Sequence, residues 1–96
     1  MQILRNRKEL ELLLIQIREK NLQIGLIPTM GSIHEGHLSL VRKSNNHNLF
    51  SLVTIYINPT QFNDKDDYLN YPKQEKKDIE KLGTANCDAL YFPTQE

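Results

Sequence analysis

The sequence has little of several features that would define a class of protein. It contains no Trp and one cysteine, Cys87, among 96 residues, so an internal disulfide is excluded and nothing suggests a secreted disulfide scaffold. Its 12 basic and 12 acidic residues cancel, which argues against nucleic acid or an anionic membrane as a partner. The longest early apolar run, Leu12 to Ile15, is too short to span a membrane. We therefore expect a small, single-domain cytoplasmic protein.

Hydrophobic periodicity predicts an alternation of strands and helices. Short, nearly continuous apolar runs indicate strands, and apolar residues three and four apart indicate helices. The predicted strands are residues 1–4, 23–27, 50–57 and 87–92, and the predicted helices have apolar faces within 10–17, 34–44 and 73–82. Pro28 is expected to end the second strand and Gly83 the third helix, whose charged residues we assign to a solvated face. The alternation predicts an α/β protein with a Rossmann-like parallel sheet and flanking helices.

The stretch from Ile24 to Ser39 is the first candidate for a functional site. An apolar run is followed by a turn containing Gly31 and then by two histidines three apart, His34 and His37. A strand that breaks into a tight turn and opens a helix often presents backbone N–H groups to a phosphate, and a histidine there can donate a hydrogen bond to it. In the alternative interpretation one histidine caps the turn and the other is exposed. Zinc is disfavoured, because the metalloprotease pattern places its histidines four apart.

A second polar turn follows the third predicted strand. Asn58 and Gln61 lie in the segment Asn-Pro-Thr-Gln-Phe, and in open parallel sheets the carboxyl ends of strands meet at one edge, where ligands bind. The amide of Gln61 can orient a substrate but cannot supply acid or base chemistry; the alternative is a turn residue bonded to the backbone. Cys87 is interpreted as a small core residue and His47 as solvent-exposed.

Three motifs resemble the pantoate–β-alanine ligase (pantothenate synthetase) family. They are Pro-Thr-Met-Gly-Ser-Ile-His-Glu-Gly-His-Leu-Ser-Leu, Asn-Pro-Thr-Gln-Phe, and Tyr-Pro before a charged helix, at residues 28–40, 58–62 and 71–72. The resemblance covers about Ile24 to Phe92. The two histidines are similar to the His-x-Gly-His signature of the HIGH-type nucleotidyltransferase fold, and Ser32 and Ile33 differ only conservatively from the residues usual there.

The resemblance implies a two-step, ATP-dependent ligation assisted by Mg²⁺. Pantoate and ATP would give pantoyl adenylate and pyrophosphate, and the amine of β-alanine would then displace AMP to give pantothenate. It also implies site residues. His37 would be the catalytic proton donor, Gln61 would bind pantoate near the β-alanine position, and Asn58 would lie close by. The ATP-binding turn would comprise Met30, Gly31, Ser32, Ile33, His34, Glu35, Gly36 and His37. No metal ligand is assigned to the protein itself.

Members of this family are longer than this sequence. It has further ATP- and pantoate-binding residues beyond the position that matches Glu96, and a C-terminal domain that covers the site. We therefore expect residues 1–96 to be the N-terminal portion of a truncated Rossmann-like nucleotide-binding domain, with negligible ligase turnover alone. A stand-alone ATP-binding module and an oligomerising fragment that pairs through an open strand edge are the alternatives. We expect small-molecule partners and a homodimer.

Overall fold

A computed structural model of the chain describes residues 1–57 and 71–93, and of residues 71–73 it describes the backbone. Its elements alternate along the chain. The strands are β1 (Gln2–Leu4), β2 (Ile24–Thr29), β3 (Phe50–Ile55) and β4 (Ala89–Tyr91), and the helices are α1 (Arg7–Glu19), α2 (Glu35–Asn46) and α3 (Tyr71–Thr84). Asn58 and Gln61 lie outside the described residues. Within those residues, no helix is long and apolar enough to cross a membrane.

The four strands form one parallel sheet in the order β1-β4-β3-β2. Val53 of β3 is in register with Ile27 of β2 on one side and with Leu90 of β4 on the other. The strand β3 is therefore central, which agrees with its nearly continuous apolar sequence and with the burial of most of its side chains. The predicted α/β class, with a parallel sheet and flanking helices, is confirmed.

The apolar side chains form one cluster on each face of the sheet. On one face, α2 and α3 contribute Leu38, Val41 and Leu82, which pack against Val53 and Ile55. On the other face α1 contributes two buried residues, Leu13 and Ile17, that pack against Leu4, Leu52 and Ala89. The chain is thus a three-layer α/β/α unit in which α2 and α3 share the same face.

The prediction that Pro28 ends the second strand is wrong, because β2 continues to Thr29. Proline has no N–H to donate and is tolerated in a sheet only on an edge strand. The strand β2 is such an edge in the described sheet, since it pairs only with β3. The same position leaves part of this strand open to solvent, since the side chain of Leu26 is 59% exposed.

The bounds of α3 also differ from the prediction. The helix begins at Tyr71, before the predicted range of 73–82, and it continues through Gly83 to Thr84. The residue that leaves the helical conformation is Asn86, which has a φ of 60°. Asparagine adopts this left-handed conformation more readily than most residues with a side chain. The periodic pattern located the helix, and its end is set by residues beyond the glycine.

Candidate functional site

The turn that follows β2 combines two left-handed residues with a helix start. Gly31 has a φ of 91° and Ser32 a φ of 54°. The backbone N–H of Gly31 donates to the Oγ1 of Thr29 at 3.2 Å, and α2 begins soon afterwards with His34 as its N-cap. A left-handed conformation is natural for glycine but costs a residue such as Ser32 about 1–2 kcal/mol. Residues 30–33, called the 30–33 turn below, must therefore be held in this conformation by contacts with other parts of the chain.

Asp78 of α3 supplies those contacts. Its carboxylate accepts the backbone N–H of Ser32 at 3.0 Å and that of Ile33 at 2.8 Å. Gln74, one turn earlier in the same helix, donates its side-chain amide to the Asp78 carboxylate at 2.9 Å. The Nζ of Lys81 donates to the carbonyl oxygen of Ile33 at 3.0 Å. The helix α3 therefore binds the backbone of the turn on both its donor and its acceptor sides.

The two histidines cap α2 reciprocally. The Nδ1 of His34 accepts the backbone N–H of Gly36 at 3.0 Å, and the Nδ1 of His37 accepts the backbone N–H of His34 at 3.2 Å. Their rings lie with centroids 4.0 Å apart and planes inclined by 32°. The predicted first-turn placement of both residues is confirmed, and both histidines act as caps, where the alternative interpretation assigned only one.

This capping selects the tautomer of both rings. A ring nitrogen that accepts a hydrogen bond carries no proton, so with Nδ1 as the acceptor in His34 and His37 each ring presents its N–H at Nε2. Partial burial and the neighbouring His34 lower the pKa of His37, and the Asp78 carboxylate opposes this by raising it. Together the pair, called the His34–His37 pair below, offers two Nε2–H donors at the start of a helix, where the macrodipole favours an anion.

Acid is expected to weaken the cap made by His37. Its pKa is lowered in the folded chain, so the unfolded chain takes up this proton first as the pH falls. The associated stability is complete above about pH 6.5 and is lost as the pH falls through the lowered pKa. A lost N-terminal cap costs about 1 kcal/mol. Urea unfolding at pH 7 and pH 5 should show this loss.

The matched control is His37→Gln, because glutamine at this position keeps a cap acceptor that does not titrate. The variant should lose less stability than the wild-type chain between the two pH values. An equal loss in both proteins would contradict the role assigned to the His37 ring.

The backbone amides of this segment are mostly engaged within the chain. The N–H groups of Gly31, Ser32, Ile33, His34 and Gly36 donate to Thr29, Asp78, His37 and His34 as described above. The sequence-based expectation that such N–H groups receive the phosphate is therefore not met at these five positions. What the segment presents to a ligand instead is side chains, chiefly the imidazole Nε2–H groups.

The other predicted residues of this segment differ in their surroundings. The side chain of Ile33 is buried in the core and anchors the turn, whereas that of Met30 is 64% exposed. The exposed carboxylate of Glu35 pairs with Arg42, which lowers the pKa of Glu35. At Gly36 a Cβ would lie 2.8 Å from the Cε1 of His34. The absence of a side chain at Gly36 thus leaves room for the His34 ring to accept the N–H of Gly36.

Two residues named outside this segment are also placed by the structure. Cys87 is buried, its thiol donates to the carbonyl oxygen of Ala89 at 3.1 Å, and burial raises its pKa. These features fit the predicted core role. His47 is exposed, as predicted, and its Nδ1 lies 2.8 Å from the carbonyl oxygen of Lys43. Among the described residues, no group of three or more His, Cys, Asp or Glu side chains could hold a metal ion.

Sequence reasoning missed Asp78 and Lys81. The charged residues of α3 were assigned to a solvated face, and for Asp78 this is wrong, because its side chain is fully buried. The available signal was spacing: Asp78 lies four residues before the core residue Leu82, on the same helical face. An acidic residue at a core position of an amphipathic helix indicates a buried partner elsewhere in the chain.

The fold and this site define a class of protein. A parallel sheet flanked by helices, with a His-x-Gly-His pair at the first turn of α2, is the arrangement of the HIGH-type, nucleotidyltransferase-like fold. Solved structures of this family are similar to the chain. The pantoate-β-alanine ligase from Francisella tularensis, complexed with beta-gamma ATP and beta-alanine, has a TM-score of 0.72 and 41% identity over 97% of this chain and 35% of that one. The pantothenate synthetase from Thermus thermophilus has a TM-score of 0.66 and 30% identity over 98% of this chain and 32% of that one.

The chain belongs to the pantoate-β-alanine ligase family, whose model matches residues 2–96. Among curated relatives, the pantothenate synthetase of Azobacteroides pseudotrichonymphae is 48% identical over all of this chain and 35% of its own length. That of Hyphomonas neptunium is 41% identical over 97% of this chain and 32% of its own length. The chain thus spans about a third of the length of the curated relatives it matches.

Proposed function

We propose that the chain provides the nucleotide half-site of a pantoate–β-alanine ligase. In this proposal residues 1–96 are the N-terminal portion of the nucleotide-binding domain, and ATP binds at the 30–33 turn and the start of α2. The observation that carries it is the reciprocal cap of His34 and His37, which fixes both Nε2–H donors at a helix start. Family membership and a similar structure complexed with an ATP ligand support the same assignment.

The proposed reaction has two steps. A carboxylate oxygen of pantoate attacks the α-phosphorus of ATP; the new P–O bond gives pantoyl adenylate, and pyrophosphate leaves with the electrons of the broken P–O bond. The amine of β-alanine then attacks the adenylate carbonyl carbon. A C–N bond forms, the bond to AMP breaks, and the amine proton is lost as pantothenate is released.

Within this reaction His37 is proposed to act on the phosphates. Its lowered pKa keeps the ring neutral near pH 7, so its contribution is an oriented Nε2–H hydrogen bond that becomes stronger as negative charge develops on the leaving group. His34 supplies the second donor. Asn58 and Gln61 are proposed to bind pantoate and β-alanine. Mg²⁺ is proposed to arrive bound to the ATP phosphates, as is common for this ion, since the described residues offer no metal cluster of their own.

The experiment that tests the proposal is a calorimetric titration of ATP–Mg²⁺ into the chain, followed by an assay for pantothenate with all three substrates. We expect saturable ATP binding and no turnover above background, because the chain spans only about a third of the length of its relatives. A full-length pantothenate synthetase is the positive control for the assay. Absence of ATP binding by a folded chain would contradict the half-site, and measurable turnover would contradict the expected inactivity. Sedimentation of the same sample tests the proposed homodimer.

A further inference from the structure

The contact between α3 and the 30–33 turn joins residues far apart in the chain. Asp78 lies 45 positions after Ile33, yet its carboxylate receives the N–H groups of both Ser32 and Ile33 at 3.0 Å or less. The carboxylate is fully buried. A buried charge is retained only where it is well paired, and hydrogen bonds to charged groups are stronger than those between neutral groups.

The acceptor is needed because of the conformation of the turn. Gly31 and Ser32 both have a positive φ, and the N–H groups of Ser32 and Ile33 converge on one carboxylate, as successive N–H groups of a turn can do around an anion. Here the anion is a side chain of the protein. The left-handed Ser32 is therefore stabilised in the folded chain by the Asp78 carboxylate.

The contact extends from the turn to the His34–His37 pair. His34 follows Ile33 directly, and its own N–H donates to His37. A shift of the Ile33 backbone would therefore move the N-cap of α2 and both rings. Ile33 is held at its carbonyl as well, because the Nζ of Lys81 donates to that oxygen. The helix α3 thereby sets where the two Nε2–H donors point.

We propose that Asp78 is a positioning residue that holds the 30–33 turn, and through it the His34–His37 pair, in the geometry that binds the nucleotide phosphates. This inference rests on the proposed nucleotide function. Asp78 itself does not touch the ligand in this arrangement, because its carboxylate is buried beneath the turn. Its effect on binding is transmitted through the backbone of Ser32 and Ile33.

The test compares Asp78→Asn with Glu75→Gln. Both replace a carboxylate of α3 by an amide of the same shape, but Glu75 pairs with Arg5. In Asp78→Asn the new NH₂ group faces a backbone N–H, donor against donor. We expect faster amide hydrogen exchange at Ser32 and Ile33, and an affinity for ATP–Mg²⁺ reduced about tenfold. We also expect a lower pKa of His37, since the Asp78 carboxylate raises that pKa. Glu75→Gln should change the exchange rates and the ATP–Mg²⁺ affinity by less than about twofold and should leave the pKa of His37 unshifted.

Two further variants keep the proposal open to refutation. Ser32→Gly removes the cost of the left-handed conformation, so it should recover part of the exchange protection lost in Asp78→Asn. If Asp78→Asn does not fold, Lys81→Met, which removes the bond to the Ile33 carbonyl, should shift exchange and ATP affinity in the same direction by a smaller factor.

The outcomes separate this proposal from the proposed function. A wild-type chain that binds no ATP contradicts the nucleotide half-site, whereas the exchange rates and the His37 pKa still report on Asp78. Folded Asp78→Asn with unchanged exchange at Ser32 and Ile33 and an unchanged His37 pKa overturns the positioning role, whatever the ATP result.

Discussion

Replacing Gly25 with alanine is expected to destabilise the chain by about 1–3 kcal/mol, the usual cost of overpacking. A Cβ at this position of β2 would lie 2.1 Å from the Oγ and 2.9 Å from the Cβ of Ser44. Ser44 cannot easily yield. It is buried in α2, and the Oγ of Ser51 lies 2.7 Å from its Oγ and 2.6 Å from the Oδ1 of Asn45. The new methyl group must therefore push α2 away from the sheet, and α2 carries the His34–His37 pair.

The matched control is the same substitution at Gly83. This residue lies in the last turn of α3, it is exposed, and a Cβ there meets nothing within 4 Å. Alanine in a helix is more stable than glycine by about 0.5–1 kcal/mol. Urea unfolding should give changes of opposite sign, a lower midpoint for Gly25→Ala and a higher one for Gly83→Ala. A destabilisation of similar size in both variants would contradict the close approach of α2 to β2.

Replacing His37 with alanine is expected to reduce the affinity for ATP–Mg²⁺ by at least about tenfold. A hydrogen bond to a charged group contributes about 1.5–3 kcal/mol, and about 1.4 kcal/mol corresponds to a factor of ten. The substitution also removes the acceptor for the N–H of His34, so part of the effect comes from a loosened cap. Calorimetry at pH 7 measures the change, with circular dichroism to show that each variant is folded.

Two variants separate these contributions. His37→Gln keeps an acceptor at the third helical position and removes the imidazole, so it should retain the stability of the wild-type chain and still bind ATP weakly. His47→Ala removes an exposed histidine at the other end of α2 and should bind like the wild type. Wild-type affinity in His37→Gln would show that the cap, and not the imidazole donor, supports binding.

Much of the fold follows from local patterns in the sequence. The helical periodicity of α1 and α2 and the continuous apolar run of β3 reflect burial against the sheet, which constrains these residues directly. The errors at Pro28 and Gly83 have a common origin, since each residue was assigned its usual local role. Whether Pro28 can remain in a strand depends on its being at the edge of the sheet, and strand order is a tertiary property. Likewise α3 passes through Gly83 to end near Asn86.

The candidate site divides in the same way. The position of the His34–His37 pair at a helix start could be predicted because strand, turn and helix are consecutive in sequence. Asp78 could not be paired with Ser32 and Ile33 from sequence alone, since the folded sheet brings α3 to the turn across 45 residues. Nor could the sequence show that the backbone N–H groups of the turn donate to acceptors within the chain. The roles of Asn58 and Gln61, which lie outside the described residues, stay predictions.

The most direct test of the nucleotide site is to add ATP–Mg²⁺ at pH 7 and to monitor the ring nitrogens of the histidines by ¹⁵N NMR. The structure predicts that, before addition, the rings of His34 and His37 carry their protons on Nε2, because Nδ1 accepts a backbone N–H in each. It further predicts that the Nε2 signals of both rings shift saturably with ATP while those of His47 do not. Protons on Nδ1 in the free chain, or ring signals of His34 and His37 that stay unchanged at saturating ATP, would contradict the assignment.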